Sequence, residues 1–293
     1  MIYEVHHRTT IRYEVPVAQA RFNIRLRPYG WPGQSLIAQK LEFSPQPDEW
    51  RDEVGPYCIN RSVIAFSGKL SELAIESRFT VDVAARSSVG EGPMLRQVRQ
   101  EALDRRDLSV LSPAPYLFAS RIADANSAIG DWAGELLSSD QPIVAAASSV
   151  MGAIHHDFAY RPGTTSSATP PAEAFDRREG VCQDFAHVMI VALRSQGIPA
   201  AYVSGYLRTV PPEGQERLVG ADAMHAWVKV WCGAELGWLG FDPTNDCLAL
   251  SEHILIAMGR DYADVSPIDG TFVGSAPQNM ATAVDVIAQD NAV

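Results

Sequence analysis

Alternating side-chain polarity over the first ninety or so residues narrows the fold more than any other feature of this chain. In the opening stretch YEVHHRTTIRYEV, Tyr3, Val5, Ile11, Tyr13 and Val15 share one parity, and Glu4, His6, Arg8, Arg12 and Glu14 share the other. A period of two sends successive side chains to opposite faces of a pleated backbone, so the pattern predicts a half-buried strand and not a helix. ARFNIRLRP repeats it, with Phe22, Ile24 and Leu26 on one side and Arg21, Asn23, Arg25 and Arg27 on the other, an arginine face expected to be solvated, with an acidic partner or an interdomain contact as the alternative. LIAQKLEF, RSVIAF and IESRFTVDVA continue the series, broken by the turn clusters SPQPD and SGK. Short strands at this spacing predict an antiparallel β-sandwich over residues 1–92.

The pattern then changes. Residues 93–115 are polar, charged and bounded by prolines, the composition of a linker. From 116 to 156 alanine dominates, and two helices are expected, through LFASRIADANSAIGDWAGELL and, after Pro142, through IVAAASSVMGAIHHDF. RPGTTSSATPP has the residues of an exposed loop. From Val181, the apolar residues Phe185, Val188, Met189, Ala192 and Leu193 recur at three and four, and Gly197 and Pro199 supply a stop near Gln196. Three strands are expected next, AAYVSGYLRTV, HAWVKVWC and GWLGFDPT, parted by the loop PPEGQERLVGADAM and the turn GAELG. The tail, 251–293, holds an amphipathic, helix-like run, EHILIAMG, and a final apolar run, ATAVDVIA, suited to an added strand. Residues 116–293 therefore form a second domain with its core at 170–250, and the whole chain reads as α+β.

Composition excludes several functions. A formal net charge of -11 on 293 residues disfavours nucleic acid and anionic membrane surfaces as partners, because both would be repelled. The amino terminus alternates from its start and has no apolar h-region, so no export signal is expected and the protein is expected to be cytoplasmic. No apolar run reaches the ~18 residues of a membrane helix. Cys58, Cys182, Cys232 and Cys247 form no C-x-x-C pair and no close Cys/His doublet, so neither a disulfide framework nor a zinc site is expected, and no cofactor is expected either.

One cysteine stands apart. Cys182, in GVCQDFAH, falls in the first turn of a predicted helix, where unpaired backbone N–H groups and the positive end of the macrodipole favour a thiolate and offer donors to an oxyanion. Acyl transfer also needs an imidazole to carry the proton and a third group to orient it. His187 is near in sequence, but five helical positions rotate it roughly 140° away from Cys182. His225 opens a strand, on one face with Trp227, and Asp242 ends the next. If those strands pair through GAELG, the two become neighbours opposite the helix tip.

At these residues the chain resembles the transglutaminase-like superfamily, and within it the bacterial transglutaminase-like cysteine peptidases. GVCQDFAH, GADAMHAW and GWLGFDPTN are similar to that family's Cys, His and Asp boxes, in the same order and joined by RSQGIPAAYVSGYL. YEVHHRTTIRYEVPV and RLRPYG resemble the β-rich domain that precedes this core, and GRDYADVSPIDG the segment that follows it. The resemblance implies a papain-like core, with a cysteine-bearing helix packed on an antiparallel sheet. It implies Cys182 as nucleophile, His225 as general base and acid, and Asp242 as orienter; on the resemblance alone, Asp261 and Tyr262 border the cleft. Tyr160 and Gln183 are weaker candidates for a second oxyanion donor. Animal members use calcium, but no EF-hand-type loop is present here.

Blander readings stand beside these. Asp184 and Gln183 suit helix capping and the dipole. His155 and His156 diverge on a helix and make a poor metal pair, so a metallohydrolase built on them is remote. The leading expectation is a peptidase or amidase acting on a peptide or protein substrate through a Cys182 thioester. Its rivals are a protein-glutamine transamidase and a silent peptide-binding module whose cleft the tail blocks. Homo-oligomerisation is left open.

Overall fold

The computed structural model describes residues 1–85, 89–107, 109–208, 222–275 and 277–289. Six strands open the chain: β1 (Ile2–Val17), β2 (Gln19–Arg27), β3 (Gln34–Ser44), β4 (Glu49–Val54), β5 (Asn60–Phe66) and β6 (Leu70–Val83). Next come α1 (Leu95–Asp104), α2 (Ser127–Leu136), α3 (Ile143–Asp157), β7 (Ala159–Tyr160), α4 (Pro171–Arg177), β8 (Glu179–Gly180) and α5 (Cys182–Ser195). The remainder is β9 (Ala200–Leu207), β10 (Met224–Trp231), α6 (Gly233–Leu236), β11 (Trp238–Asp242), β12 (Cys247–Leu248), β13 (His253–Gly259), α7 (Tyr262–Val265), β14 (Ile268–Val273) and β15 (Gln278–Gln289). Among these helices none is long and apolar enough to cross a membrane.

Two four-stranded antiparallel sheets, ordered β15-β1-β6-β3 and β14-β2-β5-β4, form the sandwich. Ile11, Tyr13, Phe22, Ile24, Leu26, Ile64, Leu73 and Ile75 meet between them. The period-two face of β1 serves two cores. Its far end, Ile11 and Tyr13, faces the other sandwich sheet, while its near end, Tyr3 and Val5, joins Phe79, Val81 and Val284 against Tyr206, Ile254 and Ile256 of the five-stranded sheet. Between those apolar stretches, His7 and Thr9 make a polar seam: His7 Nε2 lies 2.8 Å from Thr9 Oγ1, and His7 Nδ1 lies 2.7 Å from the Tyr206 hydroxyl. Val15 breaks the alternation and is exposed, because the β1–β6 pairing slips between Arg12 and Val17.

The second unit is a five-stranded antiparallel sheet, β12-β11-β10-β9-β13, with α5 laid across it. Ala186, Met189, Ile190 and Leu193 of α5 share one core with Ala201 and Val203 of β9 and with Ala226, Val228 and Val230 of β10. The helix ends as the sequence requires. Gly197 takes φ +70°, Ile198 N–H bonds the Leu193 carbonyl and Gly197 N–H bonds the Arg194 carbonyl, the two bonds of a Schellman stop.

Five expectations are corrected. Residues 93–115 are not only linker: α1 lies there and buries Leu95, Val98 and Ala102 in the main core. The first alanine-rich helix begins only at Ser127, where the Asn126 side chain accepts the Ile129 N–H and caps it. EHILIAMG is a strand, because both of its faces are covered: Ile254 and Ile256 pack toward the sandwich, Leu255, Ala257 and Met258 toward the helices. Beyond it the tail leaves the second unit, and β14 and β15 become edge strands of the two sandwich sheets. The arginine face of β2 is also not wholly solvated, since Arg25 is buried against Asp269 and the Ser266 carbonyl.

Candidate active site

Local packing fixes the tip of α5. Val181 is extended, and Cys182, Gln183 and Asp184 occupy the first three helical positions. The Asp184 carboxylate reaches back to accept the Val181 N–H at 2.8 Å and the Thr165 hydroxyl at 2.7 Å. A side chain at residue 180 would come within 2.7 Å of Asp184, so Gly180 is what lets the carboxylate fold back. Burial raises the pKa of Asp184, with these bonds opposing. Asp184 therefore holds the helix start, as its capping reading implied.

Across the sheet, β10 and β11 pair antiparallel and bring Asp242 beside the start of β10. His225 Nε2 lies 2.7 Å from Asp242 Oδ2. The carboxylate is wholly buried, and its other oxygen accepts the Thr244 N–H at 2.9 Å and the Asn245 N–H at 3.2 Å. The Asn245 side chain donates to Oδ2 at 2.7 Å, and a second histidine, His253, places Nε2 3.0 Å from that same oxygen. Burial alone would raise the Asp242 pKa, but hydrogen bonds from His225 and His253 override it and hold the group well below the usual carboxylate range.

Burial would likewise depress His225. Its bonds to Asp242 and to Cys182, and the charges on both, reverse the sign and raise it to about 9. Cys182 is thus near enough to the ring to bear on its titration. Since Nε2 is committed to Asp242, proton exchange with sulfur falls to Nδ1. Chemically, this arrangement can carry a proton between sulfur and a leaving group while an acid oxygen keeps the ring aligned.

The other expected residues fall as follows. Trp227 is buried and stacks on His225, centroids 6.2 Å apart at 26°. Tyr160 is half exposed, edge-on to Phe185, and raised in pKa by burial first and then by nearby Cys182. Gln183 is half-buried beside Cys182. Asp261 caps α7 through the Ala263 N–H and also accepts the Ile122 N–H, and Tyr262 lies edge-on to Tyr202. His187 is turned into the core, where it accepts the Tyr262 N–H at 3.2 Å and burial lowers it to about 4. His155 contacts the Thr244 carbonyl and His156 contacts Asp157, so the two do not converge. Cys58 and Cys247 are pushed up by burial to about 12 and about 11. Of the loop PPEGQERLVGADAM, residues 211–221 lie outside the described residues.

Two members of the site escaped sequence reasoning, Asn245 and His253. Asn245 stands in the FDPTN box three residues after Asp242, a spacing that returns a side chain to the carboxylate of a turn. His253 carried no signal once its run was read as helical. His225, Asp242 and His253 keep their donor atoms within 4.8 Å of one another, the spacing of a possible metal set. Both Nε2 atoms, however, aim at one oxygen of a carboxylate that backbone amides pin, so the group is a hydrogen-bonded cluster and not an open coordination shell.

A cysteine at a helix tip, facing an imidazole and a carboxylate on neighbouring antiparallel strands, defines the papain-like class of cores. The chain belongs to the transglutaminase-like superfamily: residues 130–243 match its core, and residues 3–82 match the bacterial transglutaminase-like N-terminal region. An uncharacterised Mycobacterium tuberculosis protein is 34% identical over 291 residues, 97% of this chain and 92% of its own length. A Pseudomonas aeruginosa protein-glutamine gamma-glutamyltransferase is 41% identical over 93 residues, 31% of this chain and 14% of its own. The fold is shared with a candidate cysteine protease from Cytophaga hutchinsonii, at TM-score 0.76 and 21% identity, over 99% of this chain and 92% of that one.

Proposed function

We propose that this protein is a cysteine-dependent acyl-transfer enzyme, a peptidase or amidase that opens a peptide or carboxamide bond of a peptide or protein substrate. The observation that carries the reading is the His225 imidazole, bonded through Nε2 to the buried Asp242 carboxylate at 2.7 Å, with Cys182 at the tip of α5 among the groups that raise its pKa. Cys182 sulfur attacks the carbonyl carbon after giving its proton to His225 Nδ1. His225 returns that proton to the departing amine as the C–N bond breaks, and a thioester remains. In the second half His225 takes a proton from water, hydroxide adds to the thioester, and the sulfur leaves. Asp242 keeps the ring's Nε2–H and its orientation throughout. First-turn amides of α5, with Tyr160 and Gln183 nearby, are the donors for the oxyanion.

A second reading shares the first half-reaction. A primary amine in place of water resolves the thioester to a new amide, and the similarity of one segment to the Pseudomonas transferase favours weighing it. One experiment separates the outcomes: profile the protein on a peptide and carboxamide library, with and without an added primary amine, beside Cys182→Ala. Released acid that disappears in the variant supports hydrolysis, and amine incorporation supports transamidation. Activity unchanged in Cys182→Ala, or iodoacetamide labelling of Cys182 no faster than that of Cys58, overturns both.

A further inference from the structure

Asp242 is gripped by more than one imidazole. His253, the first residue of β13, is 6% exposed and reaches Asp242 Oδ2 with Nε2 at 3.0 Å, beside His225 Nε2 at 2.7 Å on the same atom. An ionised carboxylate only accepts, so each of these nitrogens must bear a hydrogen. His253 is thereby fixed as the Nε2–H form and points the positive end of that bond at the oxygen that also serves His225. Its ring packs edge-on to Trp227, centroids 5.1 Å apart at 74°, which prevents it from swinging aside. Such a donor takes up part of the carboxylate's charge, and its dipole disfavours a positive charge on the neighbouring ring, whose Nε2 lies within 4.8 Å.

We infer that His253 is a positioning residue, which steadies the Asp242 carboxylate and limits how tightly that carboxylate retains the proton on His225. The inference rests on the acyl-transfer reading above. That chemistry uses His225 twice: as an acid toward the departing amine, then as a neutral base toward water. A carboxylate pulling on His225 alone would favour the first use and stall the second. The groups facing His225 are Cys182 from α5, Asp242 and the neutral Asn245 from β11 and its turn, and His253 from β13, with Trp227 beside it and Lys229 further along the same face of β10. The Thr244 and Asn245 amides hold the other oxygen of Asp242 independently, so loss of the His253 donor leaves the carboxylate in its turn.

The test is a titration of the His225 ring by NMR in histidine-labelled full-length protein. His253→Phe keeps an aromatic body and removes the donor, and His253→Leu removes it with less bulk. Both should move the His225 midpoint upward by about half a pH unit and slow turnover near neutral pH by about threefold. Alkylation of Cys182 by iodoacetamide should change less than twofold. His253→Gln, which restores an N–H at the same reach, should return both readouts to wild type. An unmoved His225 midpoint in the Phe and Leu variants, or a Gln variant that shifts as far as they do, overturns the inference. The titration needs no substrate, so a wild-type protein inactive on every amide would sink the acyl-transfer reading and still leave the hold of His253 on His225 measured.

Discussion

The polar seam beneath the sandwich and the cleft at the tip of α5 each bury a histidine in a hydrogen-bonded network, with opposite results. His7, between Thr9 and the Tyr206 hydroxyl, is lowered to about 4, burial being the largest cause. His225 meets the same penalty and is raised to about 9, because a carboxylate and a sulfur face it where the seam offers only hydroxyls. Depth of burial does not make an imidazole reactive; a buried acid beside it does. The seam histidine is a strut, the cleft histidine the proposed proton carrier.

Removing the acid should collapse the contrast. In Asp242→Asn the His225 midpoint should fall below its ordinary value of 6.5, and amide turnover should drop on the order of 1,000-fold, read by steady-state kinetics beside an NMR titration. The converse change should build the contrast where none exists. Thr9→Asp should lift His7 by roughly two pH units from about 4, and a midpoint that stays put would show that burial overrides a carboxylate even in contact.

Stability against pH gives a third test, with opposite signs at the two sites. The folded-state value of His225 lies above its unfolded value, so its contribution is complete below pH 6.5 and fades as pH rises through about 9; about 3 kcal/mol is at stake. His7 has a depressed folded value, so its penalty is absent above pH 6.5 and grows as pH falls toward about 4. Urea unfolding across that range should show His225→Gln flattening the alkaline limb and His7→Gln the acid one. The smallest effect belongs to neither site. Asp140→Asn removes the exposed Arg96 ion pair and should cost less than about 0.5 kcal/mol in the same measurement.

Much of this was legible in the sequence because period and punctuation were clean. The alternation in β1 and β2 gave strands at once, and α5 could be framed by its three-and-four repeat and by Gly197. Cys182, His225 and Asp242 stand at ends of elements, where a side chain's neighbours follow from how the elements pair. The features that stayed hidden depend on pairings over long separations or on two-sided burial. Arg25 looked solvated because Asp269, its partner, lies at the other end of the chain. HILIAMG is apolar on both faces and carries no period that would reveal a strand, so His253 went unseen. LRQVRQEALD reads as linker by its low mean hydropathy, although Leu95, Val98 and Ala102 recur at the three and four of a one-sided helix stripe.

The return of β14 and β15 to the sandwich bears on how the molecule is made. Ile2 stands opposite Gln289, and each sandwich sheet takes one edge from the tail. A ribosome releases the amino end first, so β1 and β2 emerge before the strands that will cover them, and their edges stay bare while the intervening chain is made. β14 and β15 close strands made before the five-stranded sheet, which is thus threaded between the two halves of the module that supports it.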